Sequence, residues 1–151
     1  MQRDKIWDYE VQIDKAATAD WYEKSEGWRC ECGHCQNFLA LVRQKQLPTA
    51  VLDLLSNLNI LPEKPTYVCE ICPTEKGNLY QFNYRVAGCI LNEPNPNDTI
   101  KFEWGEGFCD HDSYPYGAPD FPEPYFDVMF FVEFPWVLDE QESKRNAEME
   151  E

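Results

Sequence analysis

The chain has 151 residues, 43% of them hydrophobic and 15% aromatic, with a net charge of −15. That length and composition fit one folded domain with its own core, and no run of about 18 apolar residues is present to form a transmembrane helix. The charge is lopsided: residues 1–92 carry a net of −2 and residues 93–151 a net of −13, which disfavours nucleic-acid phosphates and anionic membranes as partners.

No apolar stretch of signal-peptide type follows Met1, and the seven cysteines are an odd number, so a reducing, cytoplasmic location is expected. Residues 5–14 alternate, with Trp7, Tyr9, Val11 and Ile13 on one side, which predicts a half-buried strand. Residues 20–28 read as a polar, aromatic connection. From Gln36 onward Phe38, Leu39, Leu41, Val42 and Lys45 recur at helical spacing. Pro48 breaks that pattern and suits the start of a second helix, whose buried face is Val51, Leu52, Leu54, Leu55 and Leu58. Asn57 and Asn59 suit its end, and Pro62 and Pro65 punctuate the exit.

Strands follow. Residues 66–72 form a short one, Gly77-Asn78 marks a turn, and residues 79–91 form a long one. A loop over 92–98 leads to an alternating strand over 99–104, with Ile100, Phe102 and Trp104. Residues 105–123 read as a long surface loop. Residues 125–138 read as a last strand, in which the unbroken run from Val128 to Val132 predicts burial on both faces. The expectation is an α+β domain over 1–138. It has a mainly antiparallel sheet with one or two helices, about residues 36–59, packed on one face. Residues 139–151 read as an acidic, frayed tail.

Reactive chemistry concentrates at Cys30, Cys32 and Cys35. Structural zinc takes four thiolate or imidazole ligands, usually from paired knuckles. Cys32-Gly33-His34-Cys35 is one such knuckle and Cys69-Glu70-Ile71-Cys72 a second, with 33 residues between them. Cys69 and Cys72 fall in a predicted strand, where positions three apart face opposite ways, so Cys30 and His34 are rival ligands. A local site of Cys30, Cys32 and Cys35 completed by His34, Cys109 or His111 is a further arrangement. Buried reduced cysteines also serve as plain core, which suits Cys89 and fits Cys69 and Cys72.

Cys32-Gly33-His34-Cys35 ahead of a helix resembles the active site of the protein disulfide isomerase family. That resemblance implies Cys32 as the attacking thiol and Cys35 as the resolving one. It covers four residues and the helix start. The buried strand that thioredoxin-like folds place before the motif is replaced by the polar residues 20–28. The intervening strand before a cis-proline is missing, with Pro65-Thr66 the nearest counterpart. A broader pattern runs from Trp28-x-Cys30-x-Cys32-x-x-Cys35-x-Asn37-Phe38, through a Leu-rich helix and Asn59-Ile60-Leu61-Pro62, to Tyr84-x-Val86-x-Gly88. It is similar to a group of small bacterial proteins without an established activity. The resemblance spans about residues 28–91 and implies that the three clustered thiols act together.

Cys109-Asp110-His111-Asp112 lies in an acidic stretch, with Asp120, Glu123 and Asp127 following. Those groups suit a divalent ion, a Cys109–His111 dyad or simply a solvated loop. Trp104, Tyr114 and Tyr116 stand among the carboxylates of Asp110, Asp112 and Asp120, a composition that suits a basic protein partner. No phosphate-binding glycine loop, serine-nucleophile elbow or basic stripe is present. The expected function is therefore non-enzymatic binding of a basic protein, in the manner of an immunity or inhibitor protein. In that reading the cysteine cluster is structural, with or without zinc. The alternative is a thiol-disulfide enzyme using Cys32 and Cys35.

Overall fold

A computed structural model describes residues 1–94, 98–112 and 117–139. In chain order the elements are β1 (Gln2–Ile6), β2 (Tyr9–Ile13), α1 (Lys15–Lys24), α2 (Gly33–Arg43), α3 (Thr49–Asn57), β3 (Tyr67–Thr74), β4 (Gly77–Asn92), β5 (Ile100–Phe102), β6 (Gly105–Asp110) and β7 (Tyr125–Phe134). Among the described residues the strands form one antiparallel sheet in the order β1-β2-β4-β7-β6-β5, with β3 also paired to β4. No helix among these residues is long and apolar enough to cross a membrane.

The 16-residue β4 organises the molecule. One of its edges pairs with β7 from Asn78 to Ala87. Its other edge is shared by two strands: β3 takes Gly77–Asn83 and β2 takes Gly88–Asn92. The gap between those strands leaves buried backbone groups that need partners. The segment joining β2 to β3 supplies them. Tyr22 Oη donates to Arg85 O at 2.7 Å, Ala87 N donates to Thr18 Oγ1 at 3.1 Å, Asp14 N donates to Ala87 O at 2.9 Å and Thr66 N donates to Asn83 O at 2.9 Å. This explains why a threonine and a tyrosine of α1 are wholly buried.

The core lies on the face of β4 and β7 that carries Tyr80, Phe82, Tyr84, Phe130 and Phe134, all buried. Phe38 of α2 packs on Phe82 at 4.8 Å between ring centroids and on Phe134 at 6.2 Å. In α3, Val51 and Leu55 turn inward, and Leu58 just beyond it is buried as well. On β7 the residues from Phe126 to Phe130 are all buried, so both of its faces are covered there; within the expected run from Val128 to Val132, Phe131 is only half-buried.

Five elements differ from the pattern reading. The turn expected at Gly77-Asn78 falls at 75–76, and both residues belong to β4, paired with Thr74 and Pro73. Residues 5–14 are not one strand, because the chain reverses at Trp7-Asp8 with Trp7 at φ 54° and Ile6 opposite Tyr9. The Trp7 ring packs on Phe102, on Trp104 and edge-on against Phe130. Residues 20–28 are half helix: α1 starts after Asp14, whose Oδ1 accepts from Ala17 N at 2.9 Å, and it buries only Thr18 and Tyr22. With two buried positions it shows no apolar stripe. Residues 105–110 are strand β6 rather than loop. Gly107 is needed there because a Cβ would lie 2.3 Å from the Trp7 ring. The last strand stops at Phe134, ahead of Pro135. The acidic tail expected over 139–151 lies outside the described residues from 140 onward.

Candidate metal centre at the start of α2

Between α1 and α2 the chain turns at Gly27 and brings Trp28 and Cys30 back over the first turn of α2. Cys32 is the N-cap. Its Sγ accepts from Cys35 N at 3.4 Å, the role a serine or threonine oxygen usually fills. Gln36 Nε2 donates to Cys30 O at 3.0 Å and holds the incoming segment down. Trp28 Nε1 donates to Cys35 Sγ at 3.1 Å. The Trp28 ring leans on Tyr67 of β3, and a Cβ on Gly117 would strike both Thr66 O and that ring. Gly117, at φ 94°, is thus required for Trp28 to sit where it does.

The Sγ atoms of Cys30, Cys32 and Cys35 all lie within 4.8 Å of one another, so together they can hold a metal ion. With Zn–S bonds near 2.3 Å, sulfurs on a tetrahedron stand about 3.8 Å apart, so sub-ångström-scale shifts close the site. None of the seven cysteines is paired in a disulfide. Cys35 is buried while Cys30 and Cys32 are partly exposed. Burial pushes the Cys35 thiol up in pKa. The Trp28 donor pulls the other way, and Cys30 and Cys32 add to the rise. A bound cation offsets the cost of burying a thiolate by taking the proton's place.

Among the described residues no other His, Cys, Asp or Glu joins this group. His34 points away from the thiols: its Nδ1 lies 3.1 Å from Tyr80 Oη, and its ring meets Trp136 edge-on. Cys69 and Cys72 sit on β3 opposite Gln81 and Leu79, with a register shift between them, and Cys72 is exposed. Cys109 is buried in β6, opposite Val128, where burial first and Asp110 second raise its pKa. His111 Nε2 accepts from Ile90 N at 3.1 Å. Cys89 is half-buried, with its sulfur 4.0 Å from Gln12 Oε1.

The proposed partner-binding residues are spread out. Trp104 precedes β6 and stacks on Phe102 at 4.8 Å, while Asp110 ends the same strand and accepts from Asp112 N. Asp120 is exposed, beside the buried Phe121. Tyr114 and Tyr116 lie outside the described residues. Asp127 is no surface acid: it pairs with Arg85 at 3.0 Å, with both side chains almost wholly buried.

Two further features flank the cluster; of them only Asn37 belongs to the sequence pattern. A cleft of about 440 Å³ opens beside Cys30, walled by Trp21, Trp28, Gly117 and Pro119. On the far side of α2, Asn37 reaches the segment after β7, with Nδ2 donating to Pro135 O at 3.1 Å and Oδ1 accepting from Val137 N at 2.7 Å. The Trp-x-Cys spacing was the available signal for Trp28, and nothing in the sequence signalled the cleft. No protein-family model matches the chain, and neither a curated protein nor a solved structure matches it.

Proposed function

We propose that the protein is a non-enzymatic binding protein built around a metal centre, with Cys30, Cys32 and Cys35 as thiolate ligands and zinc as the ion. The observation that carries this is the convergence of three Sγ atoms within 4.8 Å at a helix start, with an indole N–H aimed at one of them. Three thiolates favour a thiophilic cation over magnesium or calcium. The ion would tie the segment after α1 to the start of α2, so binding energy becomes folding energy. The partner would be a basic protein drawn to the acidic half of the chain, in the reducing cytoplasm. The test is metal content and thiol titration on protein purified without chelator. Stoichiometric zinc with three protected thiols is expected. No metal, with the three thiols as reactive as exposed Cys72, overturns the reading.

Thiol-disulfide exchange is the second reading, favoured by the place of Cys32 at the N-cap of α2, where the helix dipole supports a thiolate. It requires Cys32 to alkylate rapidly near neutral pH and to pair with Cys35 on oxidation. A Cys32 no more reactive than Cys89 excludes it.

A further inference from the structure

The three thiols form an incomplete coordination shell for a tetrahedral ion. Structural zinc sites are closed by four protein ligands, whereas sites that bind or turn over ligands keep one position open. Among the described residues no fourth Cys, His, Asp or Glu joins Cys30, Cys32 and Cys35, and His34 is directed to Tyr80 on the other side of α2. Of the three cysteines Cys30 alone lines the cleft, and Cys35 is buried. A ligand reaching the ion would therefore approach past Cys30, along the walls of Trp21 and Trp28.

The Trp21 wall is fixed, with Nε1 donating to Pro119 O at 2.9 Å, and so is the Trp28 wall, through Cys35. The indole faces and Pro119 offer apolar contact. The charged residues of the cleft, Arg29 and Glu26, are exposed and paired with each other. Such walls favour an apolar stem, and a three-thiolate ion favours a soft donor atom.

We propose that the metal centre takes a low-molecular-weight thiol as its exchangeable fourth ligand, entering through the Trp21–Trp28 cleft. The thiol displaces a water from the ion, binds as thiolate and gives its proton to solvent; no oxidant or reductant takes part. The inference rests on the metal reading above and deepens it from a closed structural site to a ligand-binding one.

The experiment uses the full chain loaded with one equivalent of Co(II), whose absorption reports both coordination number and bound thiolates. Adding 2-mercaptoethanol should raise the sulfur-to-cobalt charge-transfer band and saturate at one thiol per cobalt, with cobalt retained through desalting. Ethylene glycol, similar in shape without sulfur, should leave the spectrum unchanged. Benzyl mercaptan should bind about tenfold tighter or more, because its ring is buried in the cleft. A chain that takes up no Co(II) overturns the metal reading and this inference together. Co(II) uptake with a tetrahedral spectrum that thiol does not alter leaves the metal reading standing and overturns the exchangeable ligand. Equal affinity for the two thiols overturns the cleft as the route.

Discussion

Trp28 donates its indole N–H to the sulfur of Cys35 across 3.1 Å, so the aromatic wall of the cleft and the most buried thiol of the cluster are one unit. A donor to a ligating sulfur offsets part of its negative charge and fixes its direction. Replacing such an outer partner usually costs 10–100-fold in metal affinity. Trp28→Phe keeps a ring against Tyr67 and removes the donor. Zinc affinity, measured by competition with a chromophoric chelator, should fall by about tenfold, with little change in apo-protein stability.

Asn37 is wholly buried, and its amide joins α2 to Tyr80 Oη, Pro135 O and Val137 N. Asn37→Ala leaves those groups without this partner. Urea unfolding should show a loss of about 3 kcal/mol. Asn37→Asp keeps the acceptor for Val137 N but sets a buried carboxylate oxygen against Pro135 O, so at neutral pH it should lose at least as much stability as Asn37→Ala.

Arg85 and Asp127 form a buried ion pair at 3.0 Å, with Asn83 Nδ2 also donating to Asp127 and the guanidinium 4.5 Å from the Tyr125 ring centroid. Asp127→Ala removes the carboxylate paired with a buried guanidinium and should cost about 3–5 kcal/mol. Adding Arg85→Met should restore much of that loss. A double-mutant cycle by denaturant unfolding measures the coupling, and a strictly additive result would contradict the pairing.

What the sequence disclosed follows from how local each signal is. The helix over Phe38 to Val42 and the buried run of β7 carry their own periodicity, and the C-x-C-x-x-C spacing keeps three thiols within six residues of one another. Helix α1 was hidden because it buries Thr18 and Tyr22 to serve the backbone of β4 rather than to fill a hydrophobic stripe. β6 was hidden because Gly107 reads as a loop residue, while its purpose is to admit the Trp7 ring from a distant hairpin. His34 looked like a ligand from its place in the knuckle, yet one step along a helix rotates it by about 100° relative to Gly33, toward Tyr80 and Trp136. The roles of Asp127 and the cleft depend on residues 42 and 98 positions apart, respectively, and no local pattern encodes them.

Several buried acids of high pKa make the fold sensitive to alkali. Burial raises Cys109 above its ordinary 9.0 and Tyr22 and Tyr84 above their ordinary 10.0. The folded state therefore holds protons that the unfolded chain releases. Stability from these groups is intact below about pH 9 and declines as pH rises through 9 and then 10. Apo-protein unfolded by urea at stepped pH should show that decline. Tyr84→Phe, which loses only the bond from its hydroxyl to Pro62 O, should flatten the portion above pH 10.

Cys32 caps α2 and, in the proposed metal centre, would also be a ligand; the two roles are separable. Its sulfur accepts from Cys35 N at 3.4 Å, and a serine oxygen serves that purpose at least as well. Cys32→Ser should leave apo-protein stability within about 0.5 kcal/mol of the parent or slightly raise it. The same change removes one of three thiolates, and zinc affinity should drop by about 100-fold or more. Cys35→Ser serves as the contrast: it places a hydroxyl where Trp28 N–H and the core met a buried sulfur, so it should lower both stability and affinity. If Cys32→Ser destabilised the apo-protein while leaving zinc binding unchanged, the sulfur would be acting as packing rather than as a ligand.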